Sequence, residues 1–204
     1  TLPAMAKLEE LNLNLYECNV TDGSLAQLLV DIKNLKALGL GLSFTNITDQ
    51  SLKSLVIYGF PKLSNLETFR LELDDTRVSD IGVIDICSEL GNIANKLKFF
   101  TLDLANTNTS DVSVEAFTKQ TFPKMTLLES FELYLSFTDV TDQSIEQLCS
   151  QMKNNLQGVK KFAFSLSNNM IVDNTLEIFA RNAVPTMTLL EEFILYWCSP
   201  RITD

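Results

Sequence analysis

Seven aspartates recur on one register: Asp22, Asp49, Asp80, Asp111, Asp142, Asp173 and Asp204, first 27 and then 31 residues apart. A row of carboxylates could bind calcium, supply paired acid–base groups, or satisfy backbone N–H groups at helix starts. Calcium needs several oxygens converging on each ion, with glycines to permit the turns, and each unit offers a single Asp on this register. Paired-carboxylate catalysis needs a closed pocket and a raised pKa; Glu72 and Asp103 are the nearest candidates, and nothing in the sequence marks a pocket around them. Capping fits better. Each of the first six Asp precedes a helical pattern, such as the i, i+3, i+4, i+7 stripe Leu25, Leu28, Leu29, Ile32. Asp22, Asp49, Asp80, Asp111, Asp142 and Asp173 are therefore expected as helix N-caps, accepting backbone N–H groups and meeting the positive end of the helix dipole.

Composition removes most other chemistry. The chain has no histidine, and so lacks the usual general base, the Ser–His and Cys–His pairs and the commonest zinc ligand. "GLG" at 39–41 is too short for a phosphate loop. A net charge of −10 argues against nucleic acid and anionic membrane surfaces as partners. No run approaches the ~18 apolar residues of a membrane span, and "TLPAMAKLEE" has no signal-peptide pattern. No cofactor or metal is implied. Cys87 and Cys149 share a register two units apart, roughly 10 Å at the strand spacing and beyond disulfide reach; Cys18 and Cys198 lie near opposite ends. Unpaired thiols favour a reducing compartment, cytoplasmic or cytoskeleton-associated. Sequons at Asn19, Asn46 and Asn108 keep an extracellular location open.

The elements that must position the aspartates form a repeat. "LEELNLNL" at 8 is followed by "LKALGLGL" at 35, "LETFRLEL" at 66, "LKFFTLDL" at 97, "LESFELYL" at 128, "VKKFAFSL" at 159 and "LEEFILYW" at 190. The alternation in each places one set of side chains on one face of a strand. Each unit then reads strand, turn, helix and return loop. This pattern resembles the leucine-rich repeat family, in its ribonuclease-inhibitor-like branch, over essentially all 204 residues. An extra apolar position (Leu15, Leu42, Leu73, Leu104, Leu135, Leu166, Trp197) extends the motif. The usual turn Asn or Cys is here Cys18, Thr45, Thr76, Thr107, Thr138 and Asn169. The resemblance implies a curved α/β solenoid of about seven strands and six helices, with a parallel sheet on the concave face and helices on the convex face. Residues 1–204 are expected as one domain. Because no polar capping unit is recognisable, the expectation is a segment of a longer array, or ends covered by a partner or by further copies.

Finer order lies within the repeat. The second position alternates in sign (Glu9, Lys36, Glu67, Lys98, Glu129, Lys160, Glu191), which predicts a ladder of opposite charges. Pro61, Pro123 and Pro185 stand 62 residues apart, so the period is a double unit. Leu11, Leu38, Phe69, Phe100, Phe131, Phe162 and Phe193 are expected to form a core spine.

Leucine-rich repeats usually bind partners on exposed strand positions. Here those are Arg70, Glu72, Asp74, Thr101, Asp103, Glu132, Tyr134, Ile194 and Tyr196, with Asn12 and Asn14 at the start and a bare strand at Gly39 and Gly41. Carboxylates beside aromatics suit a basic protein partner. The expected function is a non-enzymatic protein-interaction scaffold; the alternative is a structural solenoid that self-associates through its uncapped ends. In the twin segments "SFTNITDQS" and "SFTDVTDQS", only Phe44 and Phe137 have no part in the turn's own needs.

Overall fold

The alternating apolar residues of each unit fold as a five-residue strand, because one side of the strand must be buried and the other need not be. In the computed structural model, which describes residues 7–30 and 32–198 and only the backbone of Asp173, these strands are β1 (Glu10–Asn14), β2 (Ala37–Gly41), β3 (Thr68–Glu72), β4 (Phe99–Asp103), β5 (Ser130–Tyr134), β6 (Lys161–Ser165) and β7 (Glu192–Tyr196). They form one parallel sheet in sequence order. Six helices alternate with them: α1 (Asp22–Leu29), α2 (Asp49–Ser54), α3 (Asp80–Ile93), α4 (Asp111–Ala116), α5 (Asp142–Asn155) and α6 (Asp173–Asn182). The α/β solenoid expected from the repeat is thus the observed architecture.

The second and fourth residues of every strand face the helices. The spine runs in register, Leu11 to Leu38 to Phe69 to Phe100 to Phe131 to Phe162 to Phe193. Its phenylalanines stack at centroid distances of 6.2, 5.8, 5.7 and 5.8 Å, within the range of favourable aromatic pairs. The extra apolar position is also core: Leu42, Leu73, Leu104, Leu135 and Leu166 are all buried. Three residues later, the threonine hydroxyls of Thr45, Thr76, Thr107 and Thr138 donate to the carbonyls of Leu42, Leu73, Leu104 and Leu135 at 2.6–2.7 Å. Asn169 reaches a full unit back, its Nδ2 donating to the Leu135 carbonyl and its Oδ1 accepting from Thr138 N–H.

The 62-residue alternation is a difference in helix ends. α3 and α5 run 14 residues, whereas α2 and α4 stop after six and pass into a five-residue π-helical turn, then a short 3-10 turn carrying Pro61 or Pro123. Strand register is untouched by this change. The charge row forms discrete pairs rather than a continuous ladder. Lys36, Lys98 and Lys160 each reach back to Glu9, Glu67 and Glu129 at 2.7–2.8 Å.

The capping expectation needs correction. Each Asp occupies the first helical position, and the N-cap is the residue before it: Thr21, Thr48, Ser79, Ser110, Thr141 and Val172. Four of these caps accept from the N–H two residues on, at 3.2–3.4 Å; Thr21 instead donates its N–H to Ser24 Oγ, and Val172 has no side chain able to accept. The Asp carboxylates turn sideways to the next unit. Asp22 accepts from Thr48 N–H and Oγ1–H, Asp49 from Ser79, Asp80 from Ser110 and Asp111 from Thr141, all at 2.6–2.9 Å. Asp142 takes the N–H of Val172. A further donor arrives from the following helix: Ser51 to Asp22, Ser113 to Asp80, Ser144 to Asp111 and Thr175 to Asp142. The reason is geometric: a hydroxyl at the cap position already meets the helix's own N–H, which frees the Asp to bond across the 31-residue repeat. The side chain of Asp173, and all of Asp204, lie outside the described residues.

Candidate protein-binding face

The first, third and fifth strand residues form the helix-free face of the sheet. Its central rows read Asn12, Gly39, Arg70, Thr101, Glu132, Ala163, Ile194 and Asn14, Gly41, Glu72, Asp103, Tyr134, Ser165, Tyr196. Arg70, Glu72, Thr101, Asp103, Glu132 and Tyr134 therefore gather on three adjacent strands, with Asp74 just beyond β3. Ile194 and Tyr196 stand apart on β7, separated from this ridge by the buried Ala163 and Ser165 of β6.

The ridge is a polar network. Arg70 Nη2 donates to Glu72 Oε1. Glu132 receives the Tyr134 hydroxyl at 3.0 Å and the Lys161 ammonium at 2.9 Å, and Asp74 takes the Ser43 hydroxyl. Among the described residues Asp103 accepts from the Ala105 N–H alone, at 2.9 Å. Burial pushes the Asp103 carboxyl up to about 7; the Ala105 N–H opposes this, the charges of Asp74 and Glu72 add to it, and Arg70 works against it. The Tyr134 phenol also lies above its usual range, through burial first and then the Glu132 carboxylate. Four carboxylates thus face two cations, and one carboxyl titrates near neutrality. Among the described residues no group of three or more His, Cys, Asp or Glu is placed to hold a metal ion. None of the described helices is long and apolar enough to cross a membrane.

Beside the ridge, the bare strand β2 makes a trough of about 280 Å³ lined by Asn12, Asn14, Gly39, Gly41, Arg70 and Glu72. A side chain on either glycine would fill it: a Cβ at Gly41 would stand 3.1 Å from Glu72 Oε2 and 3.3 Å from Asn14 Oδ1.

Just past the strand ends, one residue per unit adopts left-handed backbone: Glu17, Phe44, Asp75, Asn106, Phe137 and Asn168, with φ between 52° and 59°. This conformation costs an L-residue roughly 1–2 kcal/mol, least for Asn and Asp. The turn demands it in these six units, and Phe44 and Phe137 are poor residues for it. Both rings are exposed, at 45% and 59%. Sequence reasoning missed Lys161, which period-2 counting from Glu132's neighbours would have placed on the ridge, and Tyr16, which contacts Phe44.

No protein-family model and no curated protein sequence matches the chain. Among solved structures, leiomodin-1 actin-binding site 2 aligns with a TM-score of 0.46 and 13% identity, over 87% of this chain and 82% of that one. An internalin from Listeria monocytogenes aligns with a TM-score of 0.35 and 18% identity, over 97% of this chain and 69% of that one. At these scores neither likeness carries a functional argument.

Proposed function

We propose that this chain is a non-enzymatic scaffold of the ribonuclease-inhibitor-like leucine-rich-repeat kind, whose helix-free sheet face receives a basic segment of another protein. The observation that carries this reading is the ridge on β3–β5, where Glu72, Asp74, Asp103 and Glu132 outnumber Arg70 and Lys161 and an aromatic side chain stands among them. Complementary charge steers encounter and selects partners. Cytoplasmic or cytoskeletal placement is supported by the four unpaired cysteines among the described residues. The third residue of each sequon, Thr21, Thr48 or Ser110, is a helix cap in its own right, so these triplets have a structural cause.

The test is capture of partners from native extract by the wild-type chain and by a variant with Glu72, Asp103 and Glu132 all changed to Lys, with melting curves to confirm folding. Loss of the captured partner is expected. Undiminished capture by the folded variant would move the binding site to the helices or the ends.

A further inference from the structure

Where the turns after β1 and β2 meet, the rings of Tyr16 and Phe44 lie 5.2 Å apart, 49% and 45% exposed. Packing does not account for Phe44. Its ring lies outside the core and against Tyr16, and its left-handed backbone would be easier for the Asp or Asn found at 75, 106 and 168. The fold itself would be better served by another residue, so the ring's use lies outside the fold.

Its surroundings say what it faces. The negative charges of Glu17, Asp74 and Asp75 all act on the Tyr16 phenol, which they push up together with desolvation, the larger cause. Among the described residues no Lys or Arg pairs with any of these three carboxylates: Arg70 is engaged with Glu72, and Arg77, two residues after Asp75, forms no ion pair. Asp74 and Asp75 hold neutral donors, the Ser43 hydroxyl and the Asn106 amide, but no cation; exposed rings beside such carboxylates attract a cation twice, through the ring quadrupole and through charge. The trough over Gly41 opens alongside, joined to this corner by the Tyr16 N–H bond to Asn14 Oδ1 at 3.0 Å. Its volume of about 280 Å³ falls below the ~300–1,000 Å³ of small-molecule sites and suits one side chain of a larger partner.

We propose that the Tyr16–Phe44 pair is the receptor for an arginine side chain of a basic protein segment, the guanidinium lying over the rings and within reach of the adjacent carboxylates. Arginine is preferred over lysine because its planar, weakly hydrated cation stacks on aromatic faces. The assignment rests on the sheet face being a protein-binding surface and adds the side chain that anchors there.

The test is an NMR titration of the whole chain with three acetylated, amidated peptides: tri-arginine, tri-lysine and tri-citrulline. Tri-arginine is expected to shift the resonances of Tyr16, Gly41 and Phe44, tri-lysine to do so more weakly, and the uncharged tri-citrulline not at all. Phe44→Asn should weaken tri-arginine binding about two- to fivefold, the range of an exposed cation–π contact. Phe137→Asn relieves the same backbone conformation three units away and should leave binding unchanged; both variants should melt at or above the wild-type temperature. Equal weakening by the two variants, no weakening by Phe44→Asn, or a Phe44→Asn chain that melts lower would overturn the assignment. Shifts confined to Asp103 and Glu132 would remove it while leaving the acidic-face reading standing. Absence of shifts with all three peptides would count against both.

Discussion

Asp80 joins the third repeat unit to the fourth, and its truncation should split the molecule's unfolding. The carboxylate accepts from Ser110 N–H at 2.8 Å, Ser110 Oγ–H at 2.7 Å, Ser113 Oγ–H at 2.5 Å and Ser113 N–H at 3.2 Å. Ser113 is 1% exposed, so Asp80→Ala leaves its hydroxyl without a partner or water, which costs about 1–3 kcal/mol. Ser110 is half-buried and recovers some solvent bonds. Losing its two contacts, and the anion at the helix start, adds about 1 kcal/mol more. The sum is roughly 2–4 kcal/mol. Asp49 is the internal control. Gly82 of α3 stands where Ser113 stands in α4, and Asp49 receives only the Ser79 N–H and hydroxyl. Asp49→Ala should therefore cost about 1–2 kcal/mol, without the buried-hydroxyl penalty. Urea unfolding followed by far-UV circular dichroism and by fluorescence of Trp197, the only tryptophan, reads both quantities. In a solenoid each unit touches only its neighbours, so weakening a central junction should also separate the two transitions. The acid limb supplies a second check. Burial raises the Asp80 pKa, but the bonds from Ser113 and Ser110 outweigh it and hold the carboxyl below its ordinary value. Its stabilisation is present above the unfolded-state pKa near ~3.9 and is lost as pH falls through the lower folded value, so Asp80→Asn should flatten stability below about pH 4. A loss under about 0.5 kcal/mol, or an Asp49→Ala cost equal to that of Asp80→Ala, would refute the junction account.

Two further outcomes follow from the core and the ridge. Phe100→Ala removes the ring that stacks on Phe69, Phe117 and Phe131, and thermal or urea unfolding should show a loss of about 3–5 kcal/mol. Asp103, held up to about 7 when folded, binds more protons folded than unfolded between about pH 4 and 7, so its contribution falls as pH rises through that window. Asp103→Asn should raise stability at pH 8 by about 1 kcal/mol or more and remove that slope. For the same reason wild-type affinity for a cationic peptide should rise from pH 6 to 8.

The sequence laid out the repeat, the strands and the spine, because these depend on period-2 alternation and on burial, both local properties. The Asp register was equally visible, yet its use was not. Reading one unit alone, an Asp before a helix looks like a cap. Only with the next unit in place does Thr48 or Ser110 stand where its hydroxyl serves its own helix and donates to the preceding Asp. The same limit applied to the charge row, where pairing stops at Glu–Lys couples because each lysine leans backward. Prolines marked two classes of return loop but gave no sign of the π-helical turns, whose wider hydrogen bonding has no residue signature. The ridge was legible as outward strand positions, except that Ile194 and Tyr196 fall beyond the small residues of β6. The left-handed backbone at Phe44 and Phe137 was hidden by the residue type itself, since Phe rarely signals such a turn.

The two helix-end patterns have a consequence for how such a protein changes length. The sheet keeps one spacing throughout, while from α2 to α5 the outer layer alternates between a six-residue helix ended by a π-helical turn and a 14-residue helix. Excising residues 66–127, two consecutive units, would bring Glu129 next to Lys36 and restore the proper sequence of helix types. Excising residues 66–96 alone would set Lys98 beside Lys36 and two short helices side by side. Gain or loss of a pair of units therefore preserves both the charge alternation and the helix alternation, whereas gain or loss of a single unit breaks both.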